Sequence, residues 1–464
     1  MLPKYLTNAV SENLSHGGVQ IKKNLSSTDL WPLHLITCLL SVLLLSACGT
    51  PPKISVPEPD PKLFTLPTHA SSVSAPSLNG QVSRSQAIRH ALTYNPTLQA
   101  LRSELRAMQA EVTQAGLSPN PEFEVEAENF SGRGARRGFN GAEITAAISQ
   151  KLELGGKRKK RTLVAALAAK ALRAKIQSEE REIETRADKT YTNILEAKQI
   201  RTISSQNVSR AIQQLQAITS SMEAGVSTRI DVNKAKLAVS EAKEALTRAR
   251  NKEASEIAKL GRLWGGNANS LNLNGNLSST GQRSLPTNSG SIIANHPGMR
   301  AARLEFALRQ AVYELEKAHR ISDIKFGAGV RDDREVNDTL GVLRLSIPLP
   351  ITNRNQGNIR AAKERIGKAS AEGHAKAAEL RTRFTQLRAD LRSAQSRLAE
   401  MNTQTVNAAR QSLSDTKSAY SNGKKSLLEY LDARKTLFEI EQRKIRAQAD
   451  LKRAENALRI LSRN

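Results

Sequence analysis

The strongest constraint on this chain is that it repeats one order of signals twice. Around Asn95 it reads NPTLQALR and around Asn295 NHPGMRAARL, so Pro96, Leu98, Ala100 and Arg102 line up with Pro297, Met299, Ala301 and Arg303. Further on, Gly225-Val226-Ser227-Thr228-Arg229-Ile230-Asp231 lines up with Gly423-Lys424-Lys425-Ser426-Leu427-Leu428-Glu429. Each run is followed by a charged residue and an alanine, Lys234-Ala235 and Asp432-Ala433. A duplication on this scale predicts two equivalent units, 81–265 and 291–464, joined by a Gly-, Asn- and Ser-rich irregular connection, 266–290.

Within each half the hydrophobic period changes in a fixed order. Leu98, Leu101, Leu105, Met108, Val112 and Ala115 recur at steps of three and four, a heptad seam on a helix. Pro119-Asn120-Pro121 ends it. Phe123, Val125 and Ala127 then alternate with Glu122, Glu124, Glu126 and Glu128, which predicts a strand with one apolar and one acidic face. A polar loop, Ser131 to Gly141, leads to a second strand expected from about Ala142 to Leu154, with Ile144, Ala146, Ile148 and Leu152 on one face. In the second half Ile324, Phe326, Ala328 and Val330 alternate with Lys325, Gly327, Gly329 and Arg331. Leu343, Leu345, Ile347 and Leu349 alternate with Arg344, Ser346 and Pro348. Strands of ~9–11 residues cross an outer membrane at a tilt. The same alternation also serves a soluble hairpin laid on helices.

Each hairpin precedes a long helical stretch. Lys157 to Ala224 reads as a helix on the order of 100 Å long at ~1.5 Å per residue. From about Asn358 a second carries Leu380, Phe384, Leu387, Leu391, Ala394, Leu398 and Met401 at steps of four and three. So narrow a seam leaves both flanks polar, as in a coiled coil or in the wall of a water-filled cylinder. Four strands cannot close a barrel and lipid tolerates no open edge, so membrane strands must be pooled; three copies supply about twelve. The expected fold is α+β and mostly helical: a duplicated, long α-helical barrel protomer whose four membrane strands contribute to a trimeric twelve-stranded barrel.

Composition narrows the chemistry. Of 464 residues 3% are aromatic and 25% charged, poor material for one large globular core. The net charge of +26 admits nucleic acid or anionic lipid as partners. Lys and Arg, however, interleave with Glu along the helices, and neither an aromatic-basic platform nor zinc-finger spacing occurs, so no nucleic-acid partner is expected. There is no phosphate loop, nucleophile constellation or His-Glu-x-x-His, and no catalytic residue or cofactor is expected. His90, His296, His319 and His374 show no paired spacing, so no metal site is expected.

The N-terminal region has its own logic. Leu33 to Leu45 is apolar but short for a membrane span, follows Lys22 and Lys23, and precedes small residues. Residues 1–47 therefore read as an export leader, although the stretch before the apolar run is long for one. Leu45-Ser46-Ala47-Cys48 resembles the lipobox of bacterial lipoproteins, which implies lipidation at Cys48 and removal of Cys38 with the leader. An ordinary signal peptide is the alternative. Residues 48–80, Pro- and Ser-rich from Pro51 to Ser77, read as a tether.

The duplicated helix–strand–strand–helix–turn–helix order, with Gly225 to Asp231 and Gly423 to Glu429 at the turns, resembles the TolC-like outer-membrane efflux proteins over nearly all the chain after the tether. Gln150-Lys151-Leu152-Glu153-Leu154-Gly155-Gly156-Lys157-Arg158 looks like the heavy-metal, CzcC-like branch. The resemblance implies a homotrimer, a periplasmic adaptor (membrane fusion) protein and an inner-membrane pump of the resistance-nodulation-division type. It implies a passive duct in the outer membrane, lipid-anchored and extending into the periplasm; the lack of Asp after Cys48 fits that sorting. Matched residue by residue, Asp231 would tie the inner and outer helix pairs through Tyr420 and Lys425, while Glu429 and Asp432 would ring the closed aperture. Lys425 and Glu429 stand where many members carry Arg and Asp, which loses a bidentate pair and lengthens one carboxylate arm. Gly225, Val226, Ser227, Thr228, Gly423, Lys424 and Ser426 would contact the adaptor. The basic run Lys157 to Arg161 is expected at the periplasmic edge of the membrane, against anionic headgroups. A coiled-coil lipoprotein without a pore and a duct for protein secretion are the competing readings.

Overall fold

A computed structural model of the chain describes residues 81–134, 137–266, 271–277 and 289–463. The leader, Cys48 and the tether lie outside the described residues. The first half runs β1 (Gln81–Val82), α1 (Arg84–Tyr94), α2 (Pro96–Gly116), β2 (Glu122–Glu128), β3 (Glu143–Leu152), α3 (Lys157–Glu223) and α4 (Arg229–Arg262). After β4 (Asn272–Leu273) the second half runs α5 (Ser289–Asn295), α6 (Pro297–Ala318), β5 (Ile324–Asp333), β6 (Asp338–Ser346), α7 (Gln356–Glu400), a π-turn (Met401–Thr405), α8 (Val406–Ser421) and α9 (Leu427–Ser462). Among the described residues no helix is long and apolar enough to cross a membrane.

The seam helices form where expected, but each is preceded by a short helix that periodicity did not reveal. The break falls at Asn95 and His296, whose side chains accept from the backbone N–H of Leu98 (3.1 Å) and Gly298 (3.0 Å). A proline follows each, where a missing N–H costs nothing. The buried His296 is thus a helix cap rather than a metal ligand.

The strands form one antiparallel sheet in the order β2-β3-β5-β6. Below it the helices keep the same order, with α3 between α2 and α6, and α6 between α3 and α7. Each strand continues a helix of the same row, so sheet and helices make one wall. Two boundaries differ from the sequence reading. β3 stops at Leu152, because Gly155 and Gly156 turn the chain with φ of 69° and 68°. β6 stops at Ser346, because Pro348 and Pro350 cannot donate to a ladder.

The apolar core sits midway along the wall. There α1, the middle of α3 and the end of α4 enclose Leu98, Ile183, Ile194 and Leu260, and the middle of α9 adds Ile445 and Ala449. The two-residue strands β1 and β4 pair in parallel above Tyr191, whose hydroxyl lies 3.1 Å from the carbonyl of Val82 and 2.5 Å from that of Asn274. Part of the connection is therefore ordered by the first repeat. A buried polar strut completes this belt: Asp188 meets Arg84 and accepts from Asn456 at 3.1 Å.

The second long helix is not continuous. Its seam buries Leu380, Phe384, Leu391 and Ala394, then slips. The next buried positions are Val406 and Ala409, so Met401 to Val406 is a step of five where the seam calls for four. The π-turn absorbs that extra residue. In the first repeat α3 runs unbroken.

Candidate functional site

Two regions carry the residues singled out by sequence. The first is the pair of helical turns far from the sheet. Both turns are built alike. Gly225 (φ 76°) and Gly423 (φ 69°) reverse the chain, and their N–H groups donate to the carbonyls of Met222 (2.9 Å) and Tyr420 (3.0 Å). Thr228 and Ser426 then cap the returning helices in reciprocal boxes with Asp231 and Glu429. Asp231 accepts from the Thr228 N–H at 3.1 Å and its hydroxyl at 2.7 Å. Glu429 accepts from the Ser426 N–H at 2.9 Å and is ion-paired with Lys425.

These bonds set the charges. Hydrogen bonds from Thr228 hold the Asp231 carboxyl below its ordinary range. Lys425, then Ser426, bring Glu429 down to about 2. Within the protomer, then, Asp231 and Glu429 are occupied locally, and Lys425 turns to Glu429 rather than Asp231. The two hairpins are held together by apolar packing instead. Ile218, Val232, Ala235, Leu427 and Tyr430 form a buried cluster, with Tyr420 stacked on Tyr430 at 5.7 Å between ring centres. Asp432 is exposed and lines a groove of about 530 Å³ with Lys234, Leu237, Glu241, Lys435 and Phe438.

Of the expected contact residues, Gly225, Val226, Thr228, Gly423, Lys424 and Ser426 are exposed and Ser227 is half-buried. Sequence reasoning missed Ile230 and Leu428, which are 65% and 58% exposed beside Val226 at 81%. Their signal was present: both are large apolar residues immediately inside a capped helix start.

The second region is the sheet. Register places Phe123, Ile148, Ala328 and Leu343 side by side, and Val125, Ala146 and Val330 in the next row. This face is apolar, and Phe123, Val125, Ile148, Val330 and Leu343 are exposed on it. The opposite face carries Glu122, Glu124, Glu126 and Glu128 on β2, with Lys325 and Arg331 on β5 and Arg344 on β6. Lys325 lies 2.8 Å from Glu122 and also pairs with Glu124. Arg331 lies 2.5 Å from Glu143. Arg344 forks between Glu124 (2.8 Å) and Glu126 (2.7 Å). In a flat sheet β2 and β6 would stand about 14 Å apart, three steps of ~4.8 Å. The pairs therefore require the sheet to curl with its charged face inward. Gly329 permits it, since a Cβ there would stand 2.3 Å from the Ala146 carbonyl oxygen.

The basic run at the start of α3 is divided: Arg158 and Lys159 are exposed, whereas Lys157, Lys160 and Arg161 turn toward the joint with the sheet. Lys157 is 7% exposed and its Nζ lies 2.5 Å from Asp323. Arg161 grips Glu153 at 2.5 Å and the carbonyl of Leu117 at 3.1 Å, Lys160 reaches the Glu314 carbonyl, and Arg158 bonds Ser118. Carboxylates and carbonyls at the helix–strand junction hold Lys157, Lys160 and Arg161, while Lys159 stays exposed. The run is a clasp joining α2, α3 and α6 to the sheet. Among the described residues no cluster of His, Cys, Asp and Glu is arranged to hold a metal.

The chain matches the family model of the outer membrane efflux protein over residues 87–266 and 288–462. It is 27% identical over 390 residues to the cobalt-zinc-cadmium resistance protein CzcC of Cupriavidus metallidurans, covering 84% of this chain and 90% of that protein. To the nickel-cobalt-cadmium resistance protein NccC of Alcaligenes xylosoxydans xylosoxydans it is 26% identical over 284 residues, 61% of this chain and 64% of that one. Crystal structures of CusC, concerned with its folding and transmembrane channel formation, superpose with a TM-score of 0.71 at 16% identity, over 86% of this chain and 96% of that one. The open-state MtrE outer membrane channel of Neisseria gonorrhoeae gives a TM-score of 0.67 at 17% identity, over 85% and 93%.

Proposed function

This chain belongs to the outer membrane efflux protein family, and from that premise we propose that it is the outer-membrane duct of a tripartite system exporting heavy-metal cations. The family is one of passive channels rather than enzymes, and its place is the outer membrane. The observation that carries the reading is the curled sheet: an exposed apolar convex face suits lipid, and a charged concave face suits a water-filled lumen. Three protomers pool their strands. The wall of α2, α3, α6 and α7 continues the lumen into the periplasm, a pump in the inner membrane supplies the energy, and Cys48 carries the lipid anchor. The names of CzcC and NccC, which speak of cobalt, zinc, cadmium and nickel resistance, support a divalent-metal cargo.

The two turns form the end that a periplasmic adaptor meets. Gly225, Val226, Ser227, Thr228, Gly423, Lys424 and Ser426 make that contact, and the exposed Ile230 and Leu428 extend it. Asp231, Tyr420, Lys425, Glu429 and Asp432 make the gate. With Glu429 drawn into its own cap, Asp432 is the carboxylate left to ring the aperture, where three copies would favour cations. Deletion of the gene followed by growth on zinc, cobalt, cadmium and nickel tests the cargo; unchanged tolerance to all four rejects it. Single-channel recording on the purified protein tests the duct. Conductance should be cation-selective, and Asp432→Asn should lower that selectivity. No conductance from protein extracted from the outer membrane would reject the channel.

A further inference from the structure

Arg344 holds the most unusual position on the sheet. β2 and β6 are its two edge strands, each paired on one side only. An unpaired edge cannot stand in lipid, because its backbone groups have no partner there. All three pairings within the sheet are antiparallel, so β2 and β6 run in opposite directions. The β6 edge of one copy therefore fits the β2 edge of the next without breaking the alternation. The side chains on these edges are complementary on the concave face: Glu122, Glu124, Glu126 and Glu128 on one, Arg344 on the other.

In the protomer Arg344 already uses that complementarity on its own chain, forking between Glu124 at 2.8 Å and Glu126 at 2.7 Å. A closed twelve-stranded barrel cannot keep this arrangement. Twelve strands at ~4.8 Å spacing and ~40° tilt enclose a circle of about 12 Å radius. The β2 and β6 of one chain then stand a quarter of the circumference apart, about 17 Å across. Measured at the same level, the β2 of the adjacent copy is one strand step away, about 6 Å.

We infer that Arg344 is an exchange residue: its pair with Glu124 and Glu126 closes the lone protomer's sheet on itself, and on assembly the same pair re-forms with the glutamates of the next copy, sealing the barrel seam. The partner is a second copy of this chain, and the inference rests on the channel reading above. The exchange keeps the charges neutralised before and after insertion. Lys325 and Arg331 lie on the inner strand β5, away from the seam, and need not exchange.

Disulfide trapping tests this. Arg344→Cys is combined in turn with Glu122→Cys, Glu124→Cys, Glu126→Cys and Glu128→Cys in the full chain, with each single-cysteine variant as control. Opposed residues on adjacent strands fall within disulfide range. In trimers isolated from the outer membrane, oxidation should yield interchain product in at least tenfold excess over intrachain product at one or two of the four positions. In unassembled chain refolded at low concentration no disulfide should form, because β2 and β6 of one chain lie three strands apart and beyond its range, but a bis-maleimide long enough to span three strands should join the two cysteines within the chain. In the trimers, no interchain disulfide at any position, or crosslinker product within one chain as abundant as in the unassembled chain, overturns the exchange and leaves the channel standing. If the parent chain forms no trimer at all, the channel reading falls and the exchange falls with it.

Discussion

Replacing Asp323 with alanine should loosen the joint between sheet and helices, and the structure gives the size of the effect. The Asp323 side chain is 15% exposed and that of Lys157 is 8% exposed. The carboxylate takes Lys157 Nζ at 2.5 Å, the Leu154 N–H at 3.1 Å and Lys151 Nζ at 3.2 Å. Asp323→Ala strands the Lys157 ammonium without a counter-ion, and breaking one side of a buried pair costs about 3–5 kcal/mol. The lower figure applies because Asp323 retains some contact with solvent. At roughly 2 °C per kcal/mol for a chain of this size, the shift is about 6 °C. The readout is the temperature at which the purified protein loses its trimer band in gel electrophoresis. Adding Lys157→Met should recover most of the loss, because an apolar residue in place of a buried charge is close to neutral. The pH profile supplies a second check. Burial opposes ionisation of Asp323, but Lys157, Leu154 and Lys151 outweigh it and hold its carboxyl below the ordinary 3.8. That stability is complete above about pH 4 and is lost as pH falls through the depressed value, so parent and Asp323→Ala should converge in acid. A shift under 1 °C at neutral pH, or a further loss with Lys157→Met, would refute the reasoning.

Four further outcomes follow from the geometry. His296 is held neutral, down to about 4, chiefly by burial and then by Lys376 and Arg383; stability should therefore decline as pH falls from 6.5 toward 4, and His296→Asn, which keeps the cap, should remove that decline from a melting series. Glu429→Gln should raise amide exchange at the start of α9 at neutral pH, whereas the parent should keep its protection until pH approaches 2. Gly329→Val should abolish trimer formation, since its Cβ would meet the Ala146 carbonyl at 2.3 Å, while Gly341→Ala, with open space around it, should assemble normally in the same gel assay. Deleting Thr403 should convert the π-turn to continuous α-helix and slow amide exchange across residues 399–407 by about tenfold, with the fold retained by circular dichroism.

Much of the wall was legible because it depends on local period. The seam from Leu98 to Ala115, the alternation from Phe123 to Ala127 and the turn residues Gly225 and Gly423 each act within one or two turns of chain. What escaped depended on contacts distant in sequence. Lys157 looked like free charge because Asp323 lies far along the chain and becomes a neighbour only through the sheet. The curl could not be read either, since Arg344 and Glu124 have no sequence relation and meet only across three strands. At the tip the sequence reading tied Asp231 to Tyr420 and Lys425, whereas within the protomer nearer partners serve. Asp231 and Glu429 lie three residues after a Thr or Ser, so a capping box was available to each and formed locally.

The π-turn has a consequence for symmetry. Two equivalent halves in each of three copies would build a tube of sixfold character, and through the sheet and the upper helices this chain comes close to that. The single-residue slip at Met401–Thr405 breaks the equivalence, because the second half carries a π-turn where α3 of the first runs unbroken. Below that level the proposed trimeric tube would be only threefold. The adaptor proposed above would then meet two unlike landing places in every protomer, and its binding isotherm should resolve two classes of site with unequal affinity.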